Sequence, residues 1–255
     1  MNLAVNNQSL ILALGLVMIA LAIGWHEKLG IDRDMIIGVV RAVIQLFVVG
    51  YLLKYVFRLD NVWLTAVLIL IIIFNAGYNA KQRSNGIPRA LPISVGAILI
   101  STAVTLGVLM LAGAIKFIPS QMIPISGMIA SNSMVAIGLC YRNLNAEFKQ
   151  DRQAVLEKLA LGADLKDASR DIVRASIKTG MQPTIDSAKT VGIVSLPGMM
   201  SGLIFAGVDP VRAIKYQIMV TFMLMSATSI GSVLACYWAY REFYNERKQL
   251  VGPSN

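Results

Sequence analysis

Residues 184–207 have the sequence TIDSAKTVGIVSLPGMMSGLIFAG, and this stretch decides the fold. After the charged residues Asp186 and Lys189 it stays apolar over nearly the length that a helix needs to cross a bilayer. Pro197 lies in the middle of the apolar part and has no backbone N–H, so a carbonyl one turn earlier needs another donor, such as the Ser201 hydroxyl or water. We therefore predict a membrane-spanning helix that is broken or kinked at Pro197.

Two further features of this stretch have alternative explanations. Gly198 and Gly202 have the GxxxG spacing that lets two membrane helices pack closely, and such packing is compatible with a kink at Pro197. Asp186 and Lys189 are one helical turn apart, so we expect them to form a local ion pair at the membrane interface.

Similar apolar runs recur along the whole chain, in which 56% of the residues are hydrophobic and 15% are charged. This composition excludes a soluble protein, because each run approaches the length of about 20 residues that a membrane helix requires. We predict about seven spans, at Leu10 to Trp25, Met35 to Tyr55, Val62 to Tyr78, Leu91 to Leu111, Met122 to Tyr141, Ser187 to Phe205 and Ala213 to Tyr240. The predicted fold class is an all-α integral membrane protein, with one transmembrane domain over residues 1–255.

Lysine and arginine are distributed unevenly between the two sides that these spans define. Most of the 23 basic residues lie in alternate connectors, and many of them lie in the long connector from Arg142 to Asp186. By the positive-inside rule this connector is cytoplasmic, the N-terminus is outside and the C-terminus is inside. The net charge of +9 thus reflects membrane orientation and does not indicate a nucleic-acid-binding protein. We predict a multi-pass protein of a bacterial inner membrane.

The connector from Arg142 to Asp186 is predicted to form two amphipathic helices with a bend between them. Gly162 interrupts the first helix, and Asp164 is a candidate N-cap of the second, with Asp167 placed to complete a capping box. Gly180 is expected to end the second helix. The buried faces are expected to contain Phe148, Val155 and Leu159 in the first helix, and Leu165, Ala168, Ile172 and Ser176 in the second.

Several polar side chains lie inside predicted spans, where they are stable only if they face protein or water. They are Arg41 with Gln45, Asn75 with Asn79, and Asn132 between Ser131 and Ser133. Such residues either hold helices together through hydrogen bonds or line a transport pathway, and the sequence leaves both roles open.

The chain has 13 methionines, and some of them share faces with these polar residues. Methionine usually provides adaptable packing, and its thioether sulfur favours soft metals such as copper(I), so no metal site is identified from the sequence. As a hypothesis, a transport pathway runs between the broken sixth span and its neighbours. The residues expected to line it are Asn75, Asn79, Met128, Asn132, Met199, Met200, Ser201, Met219 and Met223.

The sequence contains no set of reacting groups that indicates an enzyme. The only histidine, His26, lies at the end of the first span, and Cys140 and Cys236 are far from CxxC spacing. No GxxxxGK[ST] loop occurs, so we do not expect this chain to bind ATP through a P-loop, and we predict no cofactor for it.

Three long segments resemble the FetB (YbbM) family of ABC-type permeases, which is linked to bacterial iron export and has plant relatives linked to aluminium tolerance. The segments are IPISGMIASNSMVAIGLCYRNL (Ile123 to Leu144), EKLALGA (Glu157 to Ala163) and DSAKTVGIVSLPGMMSGLIFAGVDPVRAIKYQIMVTFML (Asp186 to Leu224). RAVIQLFVVGYLLKYVF (Arg41 to Phe57) and FNAGYNAKQRS from Phe74 also fit, so the resemblance covers nearly the whole chain.

The resemblance implies a membrane subunit that works with a separate cytoplasmic ATPase, which would use ATP and Mg²⁺, in a complex of two permease and two ATPase chains. EKLALGA is similar to the EAA-and-glycine loop of importer permeases, although it is one residue shorter and lacks the later Leu-Pro. The residues expected to couple the permease to the ATPase are Glu157, Lys158, Leu159, Gly162, Ala163 and Asp164. The implied function is iron export.

Other functions are compatible with the same spans. A secondary, ion-coupled transporter also uses broken helices, but we find no paired half-repeats. An ABC permease for another metal or for a small organic solute is a further alternative. A retinal protein is disfavoured because the last span has no mid-membrane lysine, and an intramembrane protease is disfavoured by the lone histidine.

Overall fold

A computed structural model describes residues 7–251 of the chain. The regular structure of these residues is helical, which confirms the predicted all-α membrane fold. The helices are α1 (Asn7–His26), α2 (Asp32–Leu59), α3 (Val62–Gln82), α4 (Ala90–Leu111), α5 (Pro119–Gln150), α6 (Arg152–Ala160), α7 (Leu165–Ala168), α8 (Arg170–Thr190), α9 (Gly198–Phe205) and α10 (Pro210–Ala239), followed by a 3-10 helix (Tyr240–Phe243).

Six helices of the described residues, α1 to α5 and α10, are long and apolar enough to cross a membrane. They correspond to six of the seven predicted spans. The predicted span from Ser187 to Phe205 is broken, as expected, but the break covers residues 191–197 and not Pro197 alone, because α8 ends at Thr190 and α9 begins at Gly198.

The break is a turn whose backbone groups are paired locally. The Thr190 carbonyl accepts hydrogen bonds from the amides of Ile193 and Val194 at 3.3 and 2.9 Å, and the Gly192 amide donates to the Ser195 carbonyl at 2.9 Å. Gly192 has a φ of 85°, a conformation that glycine adopts without strain. The helix therefore stops completely instead of bending.

Pro197 has a different place from the predicted one. It is the N-cap residue of α9, where its missing N–H removes no helical hydrogen bond. The Ser201 hydroxyl does donate to a carbonyl, as predicted, but the acceptor is Leu196, at 3.3 Å, just before the proline.

The described chain divides into two compact units, of which the first ends at Asp60 and the second begins at Asn61. In the first unit, the apolar side chains of α1 and α2 are almost all exposed, as is typical of helices that contact lipid. Arg41 and Gln45 are exposed as well, so the expected inward orientation is not found within the single chain.

The second unit is a helix bundle in which α10 packs against α4, α5 and α8, while α3 packs against α4 and α5. Its buried centre contains Ile98, Ile129, Ile137 and Tyr141. Close approach depends on small residues: a Cβ added at Gly77 of α3 would lie 3.0 Å from the Val95 backbone nitrogen of α4.

The connector between α5 and α9 follows the predicted pattern of buried faces. Phe148, Val155, Ala168, Ile172 and Ser176 are all buried, and Leu159 and Leu165 pack against the same core. Two details of the prediction are wrong. The Asp164 side chain makes no capping hydrogen bond, and the second helix is divided at Ser169 into the single turn α7 and the long helix α8.

Gly180 does not end a helix, because α8 continues to Thr190. Its function is close packing. A Cβ at this position would lie 2.8 Å from the Ala136 carbonyl oxygen of α5 and 3.2 Å from Ser232 Oγ of α10.

Candidate transport pathway and coupling element

Three of the predicted pathway residues line one cavity. Met128 of α5, Met199 of α9 and Met219 of α10 surround a space of about 270 Å³, together with Tyr216 and Pro124. Deformable thioether side chains from three different helices therefore meet beside the second half of the broken span. The walls of this cavity are mainly apolar, so it is suited to passage or packing more than to tight binding of a hard cation.

Three other residues that were predicted to line the pathway beside these methionines do not line this cavity. Asn132 is half-buried, and its Nδ2 donates to the Met128 carbonyl at 2.8 Å, within its own helix. Met223 is 2% exposed and packs in the core. Met200 is also buried, but it lines a second cavity, described below.

Asn75 and Asn79 lie on a separate face of the bundle. Asn79 Nδ2 donates to the backbone carbonyl and to Oδ1 of Asn75, both at 2.8 Å. Asn75 borders a cavity of about 310 Å³ between α3 and α5, which Ser131 and Met134 also line. The structure thus brings the predicted pathway residues together in more than one place, and their role in transport stays a prediction.

The cavity that Met200 lines has a volume of about 440 Å³ and lies beside the break between α8 and α9. Its lining residues come from both sides of the break and from α10, and they are Val191, Gly192, Leu196, Met200, Ile214, Gln217, Ile218, Thr221 and Phe222. Gln217 Oε1 is buried and has no hydrogen-bond donor among the described residues. Buried acceptors are usually hydrogen-bonded, so this oxygen is available to accept a hydrogen bond from water or a ligand in the cavity.

The glycines after Pro197 are not used for packing within this chain. Nothing lies within 4 Å of a Cβ placed at Gly198 or Gly202. The GxxxG surface of α9 is therefore open in the single chain.

The predicted coupling residues form a sharp turn at the end of α6. The Gly162 amide donates to the Leu159 carbonyl and the Ala163 amide to the Lys158 carbonyl, both at 3.0 Å, and Gly162 has a φ of 87°. This pair of bonds is the Schellman motif, which ends a helix at a glycine. The turn leaves Leu161 88% exposed at its tip, beside the buried face that holds Leu159.

The remaining polar residues of this element stabilise its surface. Lys158 Nζ donates to Asp171 Oδ2 at 2.9 Å, and this hydrogen bond lowers the pKa of the Asp171 carboxyl. Gln153 Nε2 donates to Glu157 Oε1 at 3.0 Å on the exposed side of α6. Asp164 lies 3.9 Å from Lys248 of the C-terminal segment.

The C-terminal segment fastens the coupling element to the bundle, which the sequence analysis missed. The rings of Phe148 and Phe243 stack with their centroids 4.2 Å apart. The hydroxyl groups of Tyr244 and Ser169 are hydrogen-bonded at 2.6 Å, and burial raises the pKa of Tyr244, so this phenol stays protonated. Two consecutive aromatic residues after the last span were the available signal.

The described residues contain no group of three or more His, Cys, Asp or Glu side chains that could hold a metal ion. Cys140 and Cys236 are free and buried.

Comparison with known proteins identifies relatives over nearly the full length. The uncharacterised protein family UPF0014 matches residues 7–244. The chain is 56% identical over 247 residues to the probable iron export permease protein FetB of Escherichia coli K12, covering 97% of this chain and 95% of that protein.

Plant relatives are more distant. The UPF0014 membrane protein STAR2 of rice is 35% identical, over 93% of this chain and 84% of that protein. The protein ALUMINUM SENSITIVE 3 of Arabidopsis thaliana is 34% identical, over 93% of this chain and 87% of that protein. No solved structure matches the chain.

Proposed function

Since this chain belongs to the UPF0014 family of membrane proteins, we propose that it is the membrane-spanning subunit of an ABC transporter, which exports iron with a separate cytoplasmic ATPase. The observation that carries the proposal is the coupling element. A fixed turn presents one exposed leucine, Leu161, on a segment that is anchored to the membrane bundle.

The construction of this element suits the transmission of force. α6 continues from α5 with only Asp151 between them, and the Phe148–Phe243 stack joins the base of α5 to the end of α10. A push on Leu161 would therefore reach two long membrane helices. A loop without such anchors would absorb the same motion locally.

The full transporter is proposed to contain two copies of this chain and two ATPase chains, because the chain has one unrepeated set of spans. ATP and Mg²⁺ would bind to the ATPase. Iron as the substrate rests on the name of the Escherichia coli relative.

The proposal is tested by producing this chain together with its ABC-type ATPase and preparing inside-out membrane vesicles. We expect accumulation of radiolabelled iron that requires ATP, both chains and an ATPase competent for hydrolysis. Iron movement that follows an imposed proton gradient in vesicles without the ATPase would instead identify a secondary transporter.

A further inference from the structure

Helix α8 extends into the bundle from the end that carries the coupling element, and it runs antiparallel to α5 and α10. Asn143 Nδ2 of α5 donates to Ser176 Oγ at 3.2 Å, and one turn later on α8 Gly180 lies against Ala136 of α5 and Ser232 of α10. As α8 advances, its neighbours on α5 have lower residue numbers. The second half of α8 therefore lies beside the uncharged parts of both helices.

The depth of Asp186 and Lys189 follows from the contacts on either side of them. Gly180, before them, is at the level of Ser232, and Val191, after them, shares a cavity with Thr221. Residues 216–240 of α10 carry no charge, and the interval from Thr221 to Ser232 is the middle of this stretch. Asp186 and Lys189 thus lie level with the middle of this uncharged stretch, whereas the sequence predicts them at the membrane interface.

At this depth the two charges remain uncovered by their own chain. The side chains of Asp186 and Lys189 are 55% and 68% exposed, and their closest charged atoms are 3.7 Å apart. Charged side chains inside a membrane face protein or water, not lipid. In the assembled transporter this face of α8 must therefore meet water or another protein surface.

The Asp186 carboxylate is held in a fixed position near the end of a half-helix. Gln182 Nε2 donates to both carboxylate oxygens of Asp186, at 2.8 and 3.0 Å, and so fixes the carboxylate. α8 ends four residues later, where the partial negative charge of a helix C-terminus favours cations. The cavity at the same end contains the donor-free Gln217 Oε1.

We propose that Asp186 is a transit site for a divalent cation, and that Lys189 is the built-in cation that occupies the carboxylate when no substrate is bound. The proposal rests on the proposed function and adds the position and chemistry of the substrate site. An arriving hydrated cation displaces the Lys189 ammonium from Asp186, and the released ammonium returns when the cation leaves. A carboxylate oxygen suits such an ion better than the thioether sulfurs of the methionine cavity do.

The test measures binding of Mn²⁺, a paramagnetic divalent probe, to the purified permease–ATPase complex without ATP. In Asp186→Asn the affinity should fall about tenfold or more, as for the loss of a charged partner. In Lys189→Met it should rise, because the internal competitor is gone. Glu246→Gln, the same carboxylate-to-amide change on the exposed C-terminal segment, should leave the affinity unchanged.

The changes in Mn²⁺ affinity expected for Asp186→Asn and Lys189→Met have opposite signs, which a purely structural ion pair would not produce. Equal loss of binding in both α8 variants, or unchanged binding in both, overturns it. If Asp186→Asn does not assemble with the ATPase, Asp186→Glu keeps the charge and should retain binding, and the Lys189→Met increase remains decisive. Binding is read without ATP, so failure of ATP-driven iron export would not produce either result.

Discussion

Gly180 lets α8 lie against α5 and α10 because it has no side chain. Its absent Cβ would stand 2.8 Å from the Ala136 carbonyl oxygen, which belongs to a helix backbone and cannot move aside freely. The position of the whole second half of α8 thus depends on one hydrogen atom in place of a methyl group.

We therefore expect Gly180→Ala to destabilise the bundle by about 1–3 kcal/mol through overpacking, with a lower melting temperature in detergent. The matched control is Gly127→Ala on α5, where nothing lies within 4 Å of the added Cβ, so the melting temperature should stay the same or rise slightly. Equal effects of the two changes would contradict the close packing at Gly180.

Asn132 offers a test of the pathway on the methionine side. Its Nδ2 bonds only to the Met128 carbonyl of its own helix, so we expect Asn132→Leu to keep the fold and assembly while substrate-stimulated ATP hydrolysis falls. Melting temperature and hydrolysis would be measured together.

Ser131→Ala is the control for this change, since the Ser131 hydroxyl also donates to the Met128 carbonyl but Ser131 lines the cavity that Asn75 borders. A greater loss of hydrolysis in Ser131→Ala than in Asn132→Leu would indicate that the pathway runs through the cavity between α3 and α5. Unfolding of Asn132→Leu would show that Asn132 is needed for packing.

At the scale of elements, two different residues of the coupling turn determine its backbone direction and supply its exposed side chain. Gly162 sets the direction of the turn with a φ of 87°, whereas Leu161 supplies an exposed side chain that no core contact requires. Substitutions at the two residues should therefore fail in different ways.

Leu161→Asp is expected to weaken assembly with the ATPase and leave the melting temperature of the permease alone unchanged. Gly162→Val places a β-branched residue in a left-handed conformation, which costs about 1–3 kcal/mol, so the turn should rearrange and uncouple hydrolysis from transport. Co-elution and vesicle transport would be measured for both.

Val251→Asp changes an exposed apolar residue of the C-terminal segment in the same way and should assemble normally. Normal assembly and transport in Leu161→Asp would show that the coupling element does not contact the ATPase.

The same elements show what could be predicted from the sequence. The spans of α1 to α5 and α10 were predictable because length and apolarity alone decide them. The buried faces around Phe148 and Ile172 were predictable from helical periodicity.

The errors have equally physical causes. Glycine is common both at helix ends and at close contacts, so Gly180 could not be assigned without its neighbours on α5 and α10. The Phe148–Phe243 contact joins residues far apart in sequence, which no local pattern reports.

At the scale of the whole molecule, α8 and α9 with the break between them correspond to the remaining predicted span, Ser187 to Phe205, beside the six helices that are long and apolar enough to cross a membrane. Seven crossings, an odd number, would place the two termini on opposite sides of the membrane. The direction, with the N-terminus outside, stays a prediction from the positive-charge bias.

Cysteine labelling tests this direction in intact cells, with a low background because Cys140 and Cys236 are buried. A cysteine at Lys116, before α5, should react with an impermeant reagent, and one at Lys149, at the other end of α5, should react only after the cells are opened. The reverse pattern would invert the orientation.

The 28 residues of α2 have a further consequence for the membrane itself. At about 1.5 Å per residue this helix is about 42 Å long, whereas the hydrocarbon core is about 30 Å thick. The charged residues near its two ends, Asp32, Arg33 and Asp34 at the start and Lys54 and Arg58 at the finish, therefore extend beyond the core, and a thicker bilayer would draw them toward the apolar region. The acyl-chain length of the surrounding lipid therefore acts on α2 directly, and vesicles made from longer-chain lipids would hold this helix more upright.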